Sequence, residues 1–109
     1  MNKKRISVVM PSHAIDEVKE RMLKEGYSFR EKSKWIAEAI EAFLSLKEFY
    51  KLVETAELIN DFAKTETISI SGKLEEKLDN ALIEVRKHYP TLEGVKSLIV
   101  RASIIRRLI

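Results

Sequence analysis

Apolar and polar residues alternate in two short stretches of the chain. The first stretch is Arg5–Pro11, read Arg-Ile-Ser-Val-Val-Met-Pro. Successive side chains of a strand point to opposite faces, so this pattern predicts a strand with one apolar and one polar face. Pro11 should end the strand, because proline cannot donate to a sheet. The apolar face would hold Ile6, Val8 and Met10, and the other face Arg5, Ser7 and Val9.

The second alternating stretch is Thr67–Ser71. Ile68 and Ile70 would lie on one face, and the hydroxyl residues between and beside them on the other. A strand of this length is not stable alone, and even a two-stranded ribbon needs a packed face beneath it. We therefore expect the two stretches to pair with each other and to be covered by helices.

Two amphipathic helices are predicted after the first strand. The first should run over His13–Glu25, with Ser12 as its cap and Gly26 as its left-handed C-terminal residue. The second follows the Ser28–Glu31 capping-box pattern and carries apolar residues at helical spacing as far as Leu44.

Residues 46–63 contain no glycine or proline, and their apolar positions keep a helical spacing. This pattern predicts a helical linker. The sequence leaves open whether the linker continues the second helix as one rod or turns back near Leu46, and we favour a change of direction.

The order of elements then repeats. Gly72 is expected to form a bend after the second strand, the third helix should end at His88–Pro90, and Thr91 should cap a last helix that begins near Leu92. The matched residues of the two copies are Ile6 with Ile68, Tyr27 with Tyr89, and Ser33 with Ser97. The predicted fold is therefore mainly α with short β: two strand-helix-helix units at 1–46 and 65–109, joined by a linker at 47–64.

Composition narrows the class of protein. The 109 residues carry a net charge of +3 and include no cysteine, which removes disulfides, thiolate metal sites and thiol nucleophiles. No apolar run approaches the ~20 residues that span a bilayer, and we expect a cytoplasmic protein. Glutamine is absent while Lys, Glu and Ile are abundant, a bias typical of hyperthermophiles.

The strand Arg5–Pro11, the break at Gly26–Ser28 and the helix segment Ser33–Ile40 together resemble the ribbon-helix-helix (MetJ/Arc) class of DNA-binding proteins. The second copy matches less well, since it lacks the proline after the strand and the glycine between the helices. Two such units in one chain are similar to regulators of archaeal viruses.

This resemblance implies that the two strands form an antiparallel ribbon that enters the major groove of double-stranded DNA, where each base pair shows a distinct pattern of donors and acceptors. Outward side chains of the ribbon would contact bases: Arg5, Ser7, Val9, Thr67, Ser69 and Ser71. Arg5 is the best candidate for reading guanine, and Val9 could pack on a thymine methyl group.

The resemblance also implies phosphate contacts, at the N-terminus of each unit's second helix and in the basic N-terminal segment. The residues concerned are Lys3, Lys4, Lys32, Ser33, Lys34, Lys96 and Ser97. For Arg101, Arg106 and Arg107 we expect either a surface face of the last helix or further phosphate contacts.

The function expected is sequence-specific transcription regulation, as a repressor or an activator, without cofactor or metal. An enzyme is disfavoured, because the chain has no cysteine, no clustered histidines and no glycine-rich phosphate loop. Two alternatives remain: a helical protein-interaction module built on the apolar linker, and an antitoxin-type protein that binds DNA and a partner. The pairing of units within one chain or between chains is open, and we expect a homodimer or larger assembly on DNA.

Overall fold

The computed structural model describes residues 3–56 and 63–109. Over these ranges the chain is compact and mainly helical, with one two-stranded antiparallel sheet and four α-helices. The elements are β1 (Lys3–Pro11), α1 (Ser12–Lys24), α2 (Lys32–Leu44), β2 (Ala63–Ser71), α3 (Gly72–His88) and α4 (Val95–Leu108). Within the same ranges, no helix is both long enough and apolar enough to cross a bilayer.

β1 and β2 pair with each other inside the chain, with Ile6 directly opposite Ile68. The predicted pairing and the alternation of both strands are thus confirmed, although both strands are longer than expected. β2 begins at Ala63 and not at Thr67. Its first part was missed because Lys64 and Glu66 occupy the inner positions, where the apolar alternation is interrupted.

The inner face of the ribbon is covered by helices that come from the opposite half of the chain. α2 packs against β2, which lies in the second half, while α4 packs against β1. α2 and α4 also pack against each other, and Trp35, Ile40 and Ile99 are fully buried. The two halves are therefore interlocked around one core that includes Ile6, Val8, Met10, Ile68 and Ile70.

Over the part of the linker that the structure describes, the chain is helical, but as a 3₁₀ helix and not as an α-helix. α2 ends at Leu44, Glu48 has a φ of +57°, and Phe49–Ala56 forms 3₁₀ turns instead of an α-helix. The positive φ cannot continue a right-handed helix, so the segment is not one rod with α2, and the change of direction is confirmed. The predicted linker residues 57–62 lie outside the described residues.

The apolar side chains at the start of the 3₁₀ helix are used within the fold. Val53 is fully buried, and Phe49, Tyr50 and Leu52 pack against the same core. Over residues 49–53, then, the apolar pattern reflects packing within the chain and gives no support for a partner-binding surface.

Three of the predicted helix starts need correction. Ser12 lies inside α1, because β1 runs directly into the helix and Pro11 takes the cap position. Thr91 is not a cap either, since α4 begins at Val95 after Gly94. Before α3, the Ser71 hydroxyl accepts a hydrogen bond from the Leu74 N–H at 3.1 Å, so Gly72 is helical and forms no bend.

The turn between α1 and α2 follows the prediction more closely. Gly26 adopts a φ of +87°, as a left-handed C-terminal glycine should. The Ser28 N–H donates to Glu31 Oε1 at 2.9 Å, so the capping box forms, although it begins a 3₁₀ turn at Phe29–Glu31 just before α2.

Arg107 in α4 holds this turn against the rest of the fold. Its guanidinium donates to the Trp35 carbonyl at 2.8 Å and to Glu25 Oε1 at 2.9 Å, and it stacks over the Trp35 ring at 4.4 Å. Burial raises the pKa of Glu25, but hydrogen bonds from Trp35 and Arg107 outweigh this effect, so the pKa lies below its ordinary value. Of the two alternatives expected for Arg107, a free surface face does not agree with these contacts, and a phosphate contact stays a prediction.

Substitution of the two glycines with positive φ should destabilise the fold. A Cβ at Gly26 or Gly94 would meet no atom within 4 Å, so the cost of Gly26→Ala or Gly94→Ala is conformational and should be about 1 kcal/mol each in urea unfolding. Gly72→Ala is the matched control: Gly72 starts α3 without a positive φ, and alanine there should leave stability unchanged or raise it by about 0.5 kcal/mol. Equal losses at all three positions would contradict this assignment.

The depressed pKa of Glu25 predicts a pH dependence of stability. A carboxylate with a lowered pKa in the folded state stabilises the fold above its unfolded pKa of about 4.3, and that contribution is lost as the pH falls through the folded pKa. Glu25→Gln should therefore lower the melting temperature at neutral pH and flatten its fall below about pH 4. Glu20→Gln removes an exposed carboxylate from α1, the helix that ends just before Glu25, as a control for charge. Parallel melting profiles for wild type and Glu25→Gln would refute the role of the Arg107 contact.

Candidate nucleic-acid interface

The face of the ribbon that points away from the helices is formed by eight residues, which we call the outer row. All are exposed except Ser69, which is half-buried. Their cross-strand pairs are Lys3 with Ser71, Arg5 with Ser69, Ser7 with Thr67, and Val9 with Thr65. The outer row thus contains all six residues predicted to contact bases, on one continuous surface.

Two members of the outer row were not predicted as such. Lys3 was assigned to phosphate contact, yet alternation places it in line with Arg5. Thr65 was missed because the predicted strand began only at Thr67, whereas β2 begins at Ala63. The signal for Thr65 is the continued spacing of hydroxyl residues through Thr65, Thr67, Ser69 and Ser71, which has the period of a strand even without apolar residues between the first two.

The chemistry of the outer row suits a polar and negatively charged partner. None of its eight residues is acidic; five carry hydroxyls, two are cationic, and Val9 is 38% exposed. Glu66, the acidic residue of β2, points to the other face and pairs there with Lys32. At a strand rise of about 3.3 Å per residue, Lys3 and Val9 are about 20 Å apart, comparable with six base-pair steps of 3.4 Å.

The N-termini of α2 and α4 lie at the two edges of the ribbon. The Ser69 N–H donates to Ser33 Oγ at 3.0 Å, and the Val9 N–H approaches Ser97 Oγ at 3.5 Å. Each helix start is thereby joined to the strand of the opposite half. The two serines predicted as phosphate contacts use their hydroxyl oxygens to accept from strand backbone, while their hydroxyl protons stay available as donors.

The three lysines predicted at the helix starts all have acidic neighbours. Lys32 pairs with Glu66, Lys34 Nζ lies 3.6 Å from Glu31, and Lys96 Nζ lies 3.7 Å from Asp79. These carboxylates offset part of the positive charge near the helix N-termini. Lys3 and Lys4 are exposed in β1, and together with Arg5 they form the most concentrated positive charge on the ribbon.

The sequence did not predict that Arg101 would contact the backbone of the ribbon. It is only 6% exposed, and its Nη1 donates to the Val9 carbonyl at 2.8 Å, so it is not part of a surface face. Burial lowers the pKa of Arg101 from its ordinary value. Its neighbours Leu98, Ala102 and Ile104 are also buried, and an arginine within such an apolar segment is the sequence signal that could have identified it.

Comparisons of the chain with protein-family models, with curated proteins and with solved structures found no match. The functional interpretation therefore depends on the outer row and its supports. Within residues 3–56 and 63–109, no group of three or more His, Asp or Glu side chains could hold a metal ion.

Replacement of Ser33 and of Ser97 by alanine should lower stability by different amounts, because their hydrogen bonds to the ribbon differ in length. Ser33→Ala should lower the free energy of unfolding by about 1 kcal/mol, because the partly buried Ser69 N–H loses its acceptor. Ser97→Ala is the matched variant and should cost less, since its contact with the Val9 N–H is longer. Urea unfolding measures both values, and a larger loss for Ser97→Ala would contradict the geometry.

Proposed function

We propose that this protein is a sequence-specific transcription regulator that places the outer row of its ribbon in the major groove of double-stranded DNA. The observation that carries the proposal is the outer row itself: eight aligned side chains on a two-stranded ribbon, with arginine, lysine and hydroxyl groups and no carboxylate. A major groove about 12 Å wide admits such a ribbon. Arg5 offers the bidentate donor pair that guanine accepts.

The proposed architecture is a tandem ribbon-helix-helix protein, with the two units interlocked within one chain. It is supported by the order strand, helix, helix in each half and by the packing of α2 on β2 and of α4 on β1. The ribbon is complete in a single chain. A homodimer or larger assembly on DNA is therefore not needed to form the interface, and it stays a prediction that the mass of the complex would test.

Affinity is proposed to come from phosphate contacts that flank the ribbon. Lys3 and Lys4 are exposed and are the strongest candidates, since each phosphate neutralised releases counterions. The first-turn N–H groups of α4 at the ribbon edge would add to them. A smaller contribution to affinity is proposed for the lysines near the helix starts, because each is paired with a carboxylate that offsets its positive charge: Lys32, Lys34 and Lys96.

Regulation would follow from occupancy of promoter DNA. A protein bound over the polymerase site represses, whereas the same protein bound upstream can recruit polymerase. Both outcomes use the same outer row, and the position of the operator decides between them.

Replacement of Arg5 should abolish sequence preference and leave general DNA binding. Arg5→Ala removes the bidentate donor, which is expected to raise the Kd for a selected duplex by about ten- to a hundredfold, while binding to random duplex persists and weakens with salt. Fluorescence anisotropy with selected and random duplexes at two salt concentrations measures both effects.

Arg86→Ala is the matched control for Arg5→Ala. Arg86 is exposed in the last turn of α3, about 20 Å along that helix from the ribbon, and its loss also removes one positive charge. It should leave the preference for selected DNA unchanged. If wild-type protein does not bind any duplex at moderate salt, or if both variants lose preference equally, the proposed function is wrong.

A further inference from the structure

The two strands of the ribbon present different side chains at equivalent positions. We infer that one molecule recognises a non-palindromic DNA sequence and binds it in a single orientation. The inference rests on the proposed DNA-binding function and specifies the kind of operator that this outer row can read.

The register defines which positions are equivalent. Ile6 and Ile68 are matched by the sequence repeat, and they also face each other across the ribbon. A rotation of 180° about an axis through this pair, perpendicular to the ribbon, would exchange the two strands. Arg5 would then occupy the position of Thr67, and Ser7 would occupy the position of Ser69. Among these four central positions, only the two serines are alike.

The next positions outward differ as well. The same rotation exchanges Lys3 with Thr65 and Val9 with Ser71. Both cations of the outer row therefore lie on β1, at the end where Lys3 pairs with Ser71. The other end carries Val9 beside Thr65 and has no cation in the outer row.

These two ends would read different bases. At the end with Arg5, a guanidinium can bond to O6 and N7 of guanine and discriminate it from the other bases by about ten- to a hundredfold. At the end with Val9, the side chain can pack on a thymine methyl group, and the threonines accept several bases. A palindrome would present the same half-site to both ends and would satisfy only one of them.

The supports beneath the ribbon share this asymmetry. At the Val9 end, the buried Arg101 holds the Val9 carbonyl from α4. In the repeat that matches Ser33 with Ser97, the position equivalent to Arg101 is Ala37 of α2. An alanine side chain has no such donor. The two ends of the ribbon are thus held by different contacts as well as lined by different side chains.

Site-directed DNA cleavage tests the orientation directly. The natural chain has no cysteine, so His13→Cys, near the Val9 end, and Lys73→Cys, near the Lys3 end, can each carry one iron-chelate cleavage reagent. On a duplex selected from a random pool, each labelled protein should cut one flank only, and the two labels should cut opposite flanks. Equal cutting of both flanks by each label would overturn the inference.

A second experiment uses symmetrised duplexes and Thr67→Arg. Wild-type protein should bind the selected duplex at least tenfold tighter than a palindrome built from its guanine-containing half. Thr67→Arg gives both central positions an arginine, so it should bind that palindrome at least tenfold tighter than wild type does. Asn80→Arg adds the same charge on the exposed face of α3 and should show no such gain.

The outcomes separate the inference from the proposed function. Tight, selective binding of wild type to a palindromic selected site would overturn the single-orientation inference and leave DNA recognition intact. Failure of selection to yield any duplex better than random DNA would overturn the proposed function, and the inference with it.

Discussion

The pairing of β1 with β2 is the constraint on which the rest of the structure depends. The two strands lie more than half the chain apart in sequence, yet Ile6 meets Ile68 at the centre of the ribbon. A two-stranded sheet is marginal by itself. It becomes stable here because its inner face is covered by α2 and α4, and each of these helices packs on the strand of the opposite half. Neither half could bury its apolar residues alone in this arrangement.

The same interlocking fixes the outer row. Side chains on a ribbon are positioned only as well as the backbone that carries them. Ser33 and Ser97 hold the strand backbones at the ribbon's edges, and Arg101 holds the Val9 carbonyl. A buried arginine is costly to desolvate. Its presence under Val9 is consistent with a requirement for a fixed strand position at that end, because an apolar residue could have filled the same space with less desolvation.

The sequence predicted the ribbon well, for a physical reason. Alternation has the period of a strand, and in Arg5–Pro11 and Thr67–Ser71 it coincides with burial, so the pairing and all six candidate base contacts could be assigned. The part of β2 before Thr67 was missed because the ion pair of Glu66 with Lys32 replaces apolar packing there. A charged residue in an inner position interrupts the apolar alternation, which is the signal by which the sequence pattern indicates a strand.

Elements set by the path of the chain were harder to predict. The apolar spacing of residues 49–53 is compatible with an α-helix, but Glu48 takes a positive φ and the segment follows the core as 3₁₀ turns. Ser12 and Thr91 have the right side chains for capping, and they do not cap because the chain enters the helices directly from Pro11 or through Gly94. Arg101 was expected either on a surface face or at a phosphate, yet it is buried, which is rare for arginine. The conformation of the 3₁₀ segment, the starts of the helices and the burial of Arg101 all depend on tertiary packing, which local sequence patterns do not contain.

The proposed tandem architecture, with two units joined in one chain, would allow the outer row to be asymmetric. In a symmetric dimer, any change on the ribbon appears twice, so an arginine that improves one half-site must also suit the other. In a single chain, Arg5 and Thr67 can change independently while Ile6 and Ile68 keep the centre of the ribbon unchanged. The contacts near the two helix starts differ as well: Lys32 pairs with Glu66 of the ribbon, whereas Lys96 faces Asp79 of α3. In the proposed architecture, covalent linkage would therefore relax the symmetry of the surface while Ile6 and Ile68 keep their pairing at the centre of the ribbon.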